Sequence, residues 1–109
     1  MISREQLPAA KLPEEIVEVR GLGGSVLVRG LGLAEALTVA GTLAAGPSGM
    51  CDLLSRSVLL EDGLPAYRAD EWDTFGGTHR DECLALLAVA LRLSGLDAKD
   101  SEKKAPSPP

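Results

Sequence analysis

Hydrophobic and polar positions alternate with a period of two in two short runs near the start of the chain. Residues 15–20 read Glu-Ile-Val-Glu-Val-Arg, with Val17 and Val19 on one face and Glu18 and Arg20 on the other. Residues 25–29 read Ser-Val-Leu-Val-Arg, and Gly21-Leu22-Gly23-Gly24 lies between the two runs. The pattern predicts an antiparallel hairpin. The period then lengthens. Leu33, Ala36, Leu37, Ala40 and Leu43 recur at helical spacing, which predicts a helix over 33–45 with those residues on its packed face. Gly46-Pro47-Ser48-Gly49 is loop chemistry that ends it. Residues 50–60 fit two patterns. Met50, Leu53, Leu54 and Ser57 share a helical face, whereas Val58-Leu59-Leu60 suits a strand. Glu61-Asp62-Gly63 signals a turn before an extended run at 64–67, so a second small hairpin is expected there.

Capping chemistry punctuates the rest. Ser3 and Gln6 have capping-box spacing, predicting a short helical turn that ends near Ala10, before Pro13. Asp70 is placed to cap a short helix over 71–75, closed by Gly76-Gly77. Thr78 is placed to cap the last helix, with Asp81 and Glu82 complementing its dipole and Gly95 stopping it after Ser94. These elements make an α+β fold: an N-terminal antiparallel β-hairpin packed on three to four helices, in one domain over 1–97. Residues 98–109 are charged and Pro-rich, the composition of a disordered tail.

Composition narrows the function classes. A single Trp, Tyr and Phe leave the core to Leu, Val, Ala and Ile, a thin supply for 109 residues, and small domains of this kind often self-associate. The net charge of −5 argues against an electrostatic grip on nucleic acid. The start of the chain is polar and unlike a secretory signal, and the longest apolar run, 84–91, is too short to cross a bilayer; a soluble intracellular protein with no membrane partner is expected. Cys51 and Cys83 match no zinc spacing and His79 is the only histidine, so no metal is expected and the thiols are read as free and at least half-buried.

The tempting chemistry is weaker than the bland reading in each case. Gly30-Leu31-Gly32-Leu33-Ala34-Glu35 has the setting of a dinucleotide-binding turn, but Glu35 stands where the third glycine belongs, and the strand before it belongs to a hairpin. No cofactor is expected. His79 and Cys83 lie four apart near a helix start, yet no third residue is placed to orient the imidazole. The acids at 70, 71, 73, 81 and 82 read as solvated helix starts. Trp72, with Tyr67 and Phe75 nearby, reads as a local aromatic core or, failing that, a protein-contact hot spot. The last helix is apolar nearly all round, which predicts burial on more than one side. Leu86, Val89 and Leu93, together with Trp72, are therefore the expected protein-binding residues.

The order of segments resembles the tail assembly chaperones of long-tailed bacteriophages and prophages. The resemblance is carried by Met1-Ile2-Ser3-Arg4-Glu5-Gln6-Leu7, by Ala10-Lys11-Leu12-Pro13-Glu14-Glu15, and by the hairpin ending Val28-Arg29-Gly30-Leu31. Leu60-Glu61-Asp62-Gly63-Leu64-Pro65, Glu71-Trp72 and Leu91-Arg92-Leu93-Ser94-Gly95-Leu96-Asp97 continue it to the charged end. The stretch from Ala34 to Gly49 departs from it, being richer in Ala and Gly than the charged helix expected there. The resemblance implies a non-catalytic, self-associating protein of the host cytoplasm, absent from the mature virion. Such a protein coats the tape measure protein and helps recruit tail tube subunits. The rival readings are a small virion structural protein such as a connector, a thiol enzyme using Cys83 and His79, and a bacterial regulatory adaptor.

Overall fold

The computed structural model describes residues 1–96. The expected tail, 98–109, lies outside the described residues. The fold is α+β. The hairpin forms from β1 (Glu14–Val19) and β2 (Gly24–Arg29), paired antiparallel with Val17 opposite Val26 and Ile16 opposite Leu27. Arg20–Leu22 winds into a 3-10 turn between them. Gly23 closes it at φ 79, a left-handed conformation that a side chain would strain. The period-two pattern sorts the faces as expected, with Val19, Val26 and Val28 buried.

Helix α1 (Leu33–Ala45) has the expected bounds but not the expected face. Ala36 and Val39 are its buried residues and Leu43 packs partly, whereas Leu33 and Leu37 point to solvent. The expected loop at 46–49 is shorter: Gly46 and Pro47 alone connect α1 to α2 (Ser48–Ser57). Gly49 sits inside α2, buried against α1, where a Cβ would come within 2.5 Å of the Thr42 and Leu43 backbone. It is a helix-contact glycine, not a loop glycine. The ambiguous run at 50–60 divides between its two readings: α2 continues to Ser57, then β3 (Val58–Leu59) joins the sheet beside β2. The second hairpin exists in reduced form. Leu59 bridges to Pro65, and Ala66 N–H donates to the Val58 carbonyl at 3.0 Å around Gly63.

Helix α3 (Ala69–Thr78) is longer than expected at both ends. Its N-cap is Arg68, not Asp70; Glu71 reaches back to accept the Arg68 N–H at 2.9 Å. Gly76-Gly77 does not close it, because Gly76 remains helical where it meets Cys83 on the facing helix. Thr78 is consequently the last residue of α3, not a cap. His79 alone links it to α4 (Arg80–Leu93). The end of α4 is as expected: Gly95 at φ 72 lets Leu96 N–H return to the Leu91 carbonyl at 2.8 Å and Gly95 N–H to Arg92 at 3.2 Å, satisfying the last turn.

One face of the sheet carries the core. Val19, Val26, Val28 and Val58 meet Leu53 and Leu54 of α2 and Leu86, Leu87 and Ala90 of α4. Helix α4 is tied to the hairpin at both ends. Glu82 accepts the Gly21 N–H at 2.8 Å, Ser94 Oγ accepts the Leu31 N–H at 3.0 Å, and Arg92 pairs with Glu15 at 2.7 Å. The aromatic residues form the expected local core. Trp72 is fully buried, edge-on to Tyr67 at 5.0 Å and to Phe75 at 5.8 Å, and the Phe75 ring stacks on His79 at 4.3 Å.

Candidate protein-binding surface

Two of the four expected contact residues are unavailable. Trp72 and Leu86 lie wholly inside the chain, and Val89 and Leu93 are half-buried against the core. The apolar excess of α4 has a plainer use, since the sheet, α2 and α3 each pack on it. Leu84 is the large apolar residue that α4 leaves exposed.

The unpartnered apolar surface lies instead on α1. Leu33 is 79% exposed and Leu37 66% exposed, one turn apart. Gly41 and Ala44 continue that side of the helix, and Ala34, Thr38 and Ala45 beside them are also exposed. The single charged residue of α1, Glu35, is turned the other way. It bridges Arg29 at 3.2 Å and Arg56 at 3.5 Å, and Arg56 is held in turn by Asp52 at 3.0 Å. This network fixes the rotation of α1, so its solvent side carries two leucines, small residues and no charge. Small residues along such a face let another backbone approach closely, and leucines at one-turn spacing are the anchors of helix-on-helix contact.

Past the end of α1 a cavity of about 270 Å³ opens between α2, α3 and α4. Met50, Cys51, Leu54, Cys83, Leu84 and Leu87 line it, with Asp73 and Arg80 also on its walls. Met50 and Leu84 are exposed, a flexible apolar pair suited to gripping a side chain of variable shape. A larger hollow lined by Glu18, Arg20, His79, Arg80, Asp81 and Glu82 is polar and open. There Glu82 is engaged with Gly21, and His79 Nδ1 lies 2.9 Å from Thr78 Oγ1.

No family model, curated protein or solved structure matches this chain.

The geometry weighs against nucleophilic chemistry at Cys83. Burial pushes its thiol above the ordinary range, reinforced by Cys51 and Glu82; Cys51 is raised by burial and then by Asp73. An activated thiol is shifted the other way. The Cys83 N–H donates to the His79 carbonyl at 3.0 Å, but among the described residues no side-chain hydrogen bond joins the Cys83 thiol to the His79 ring, and no cluster of three or more His, Cys, Asp or Glu side chains is disposed to hold a metal. Nor is any described helix long and apolar enough to cross a membrane. Both thiols are free. A raised folded-state pKa keeps the thiol protonated, so its contribution to stability is complete below the unfolded pKa and is lost as pH rises through the folded one. Denaturant midpoints are therefore expected to fall above roughly pH 8.5, and alkylation of Cys83 by iodoacetamide at neutral pH to be slower than that of free cysteine. Rapid alkylation at Cys83 itself, located by peptide mass in the folded chain at pH 7, would contradict this placement.

A sequence signal for the α1 surface existed. No charged residue occurs between Glu35 and Asp52. Periodicity alone assigned Leu33 and Leu37 to the packed side, because nothing in the sequence showed that Glu35 would be drawn inward by Arg29 and Arg56.

Proposed function

We propose that this chain is a non-catalytic tail assembly chaperone of a long-tailed phage or prophage, which shields the apolar helices of a tape measure protein in the host cytoplasm and helps recruit tail tube subunits. The observation that carries the reading is the uncharged outer side of α1, with Leu33 and Leu37 exposed on an acidic chain. Soluble monomers seldom leave such a strip bare unless something binds there. The client's chemistry follows from the surface: an amphipathic helix with leucine-like anchors, docked along α1, and a further side chain entering the cavity between Met50 and Leu84. The net charge of −5 keeps the loaded complex soluble while its apolar parts are covered.

Co-expression with a tape measure protein tests this. The native chain is expected to hold that protein in the soluble fraction and to co-purify with it. The double variant Leu33→Asp with Leu37→Asp is expected to fold normally, since both side chains face solvent, and to lose client binding by roughly tenfold or more, about 1.4 kcal/mol. Equal soluble yields of client with the native chain and a folded double variant would defeat the reading.

A further inference from the structure

We infer that the open face of the sheet is the docking site for residues 1–12 of a second copy of this chain. The apolar core lies on the other face, and α1 reaches this one only at its corner, where Glu35 pairs with Arg29. Register places Ile16 opposite Leu27, Leu27 opposite Leu59, and Leu59 opposite Pro65, so these four form one apolar row straight across the sheet. None belongs to the core cluster, and Ile16 is 74% exposed. Acidic side chains flank the row. Glu14 and Glu18 stand beside Ile16 on the same face of β1, and Glu61 and Asp62 share a hollow with Ser25, the residue opposite Glu18. The neighbouring cation, Arg29, is already paired with Glu35.

The occupant is written in the same chain. Every residue from 1 to 12 is exposed, including Ile2, Leu7 and Leu12, and none of those three joins the core. This arm carries Arg4 and Lys11 against Glu5, whereas residues 13–96 carry twelve acidic side chains against six basic ones. A basic arm with spaced apolar residues complements an apolar row with acidic flanks. The arm sets out away from its own apolar row. The Pro13 carbonyl is held by Gly30 N–H at 2.8 Å, and the proline keeps Leu12 extended, so the arm leaves along the line of β1, away from Ile16. With Arg4–Gln6 wound into a 3-10 turn the arm reaches roughly 36 Å, at about 3.3 Å for each extended residue and about 2.0 Å for each turn residue, whereas the row across β1, β2, β3 and the Pro65 bridge, at about 4.8 Å spacing, is roughly 15 Å long. A two-fold pair of copies exchanges both arms at once, because each offers one arm and one face.

The site is separate from the α1 surface, so its test is independent of client binding. Sedimentation of the full chain over a range of concentrations is expected to show reversible dimers, weakened by salt. Leu7→Asp on the arm and Ile16→Asp on the face are each expected to weaken association by roughly tenfold or more. Mixing the two variants restores one arm-to-face contact and yields a mixed dimer that neither forms alone. Arg4→Glu with Lys11→Glu reverses the arm's charge without touching the folded body and is expected to dissociate the dimer too. A native chain that stays monomeric overturns the inference. So do dimers indifferent to the arm variants, and so does carbodiimide cross-linking of Lys11 to Glu18, Glu61 or Asp62 within a monomer.

Discussion

Replacing Trp72 with Ala is expected to remove about 3–5 kcal/mol of unfolding free energy, a large share of the roughly 5–15 kcal/mol available to a domain of this size. Trp72 is the largest fully buried side chain, and it stands where α3 joins the core. Removing it leaves a void that α3 is poorly able to fill, because Tyr67 and Phe75 meet the indole edge-on and lose their partner together. Circular dichroism in guanidinium is the measurement. A midpoint displaced far toward zero denaturant, or no folded baseline, is the expected result; a loss below about 1 kcal/mol would show that the site closes up. Trp72→Phe is expected to cost markedly less. It keeps a ring between Tyr67 and Phe75 and eliminates the indole Nε1, which is buried with no acceptor among the described residues.

Gly49→Ala is expected to destabilise by about 1–3 kcal/mol or more, against the general rule that alanine improves a helix interior by up to about 1 kcal/mol. The new Cβ would sit 2.5 Å from backbone atoms of Thr42 and Leu43, which cannot swing aside as a side-chain tip does. Helices α1 and α2 would have to separate. Gly41 is the internal control. It lies in α1 where an added methyl group would meet open space beyond its own helix, so Gly41→Ala is expected to stabilise by about 0.5–1 kcal/mol. Opposite signs at two helical glycines, read from urea midpoints, test the helix crossing directly. Equal, favourable effects would mean that α1 and α2 do not approach closely at Gly49.

These two glycines also mark what the sequence could and could not reveal. Strands β1 and β2, the bounds of α1 and the stop of α4 at Gly95 follow from local rules: alternation, helical spacing and a left-handed C-terminal glycine. Gly49 defeated the same rules because its meaning lies in a contact between helices, and beside Pro47 it has the composition of a loop. Gly76 and Gly77 misled too: Gly76 packs on Cys83 of α4 as part of α3, and Gly77 sits in open space with nothing local to end the helix. Thr78 and Asp70 resembled caps by residue type, but Arg68 starts α3 earlier and the single-residue joint at His79 leaves no room for a separate cap. The binding surface was the least legible part. The apolar circumference of α4 looked like a surplus until three neighbours were found to share it. On α1, an apparently packed leucine pair was turned outward by a single ion-paired glutamate. Helical spacing shows which residues share a side of a helix, but not which side meets the core when both are apolar.

Helix α4 is anchored to the hairpin near both ends, at Gly21 through Glu82 and at Glu15 and Leu31 through Arg92 and Ser94. A strut pinned at both ends cannot pivot, so the sheet and α4 form a stiff frame. Helix α1 packs chiefly on α2, through Gly49, the buried Ala36 and Val39, and a cluster of ion pairs that reaches Arg29 of β2, and it has no such tie to the hairpin at each end. Accommodation to differently shaped guests then falls to α1, and its amide hydrogens should exchange with solvent deuterium sooner than those of α4.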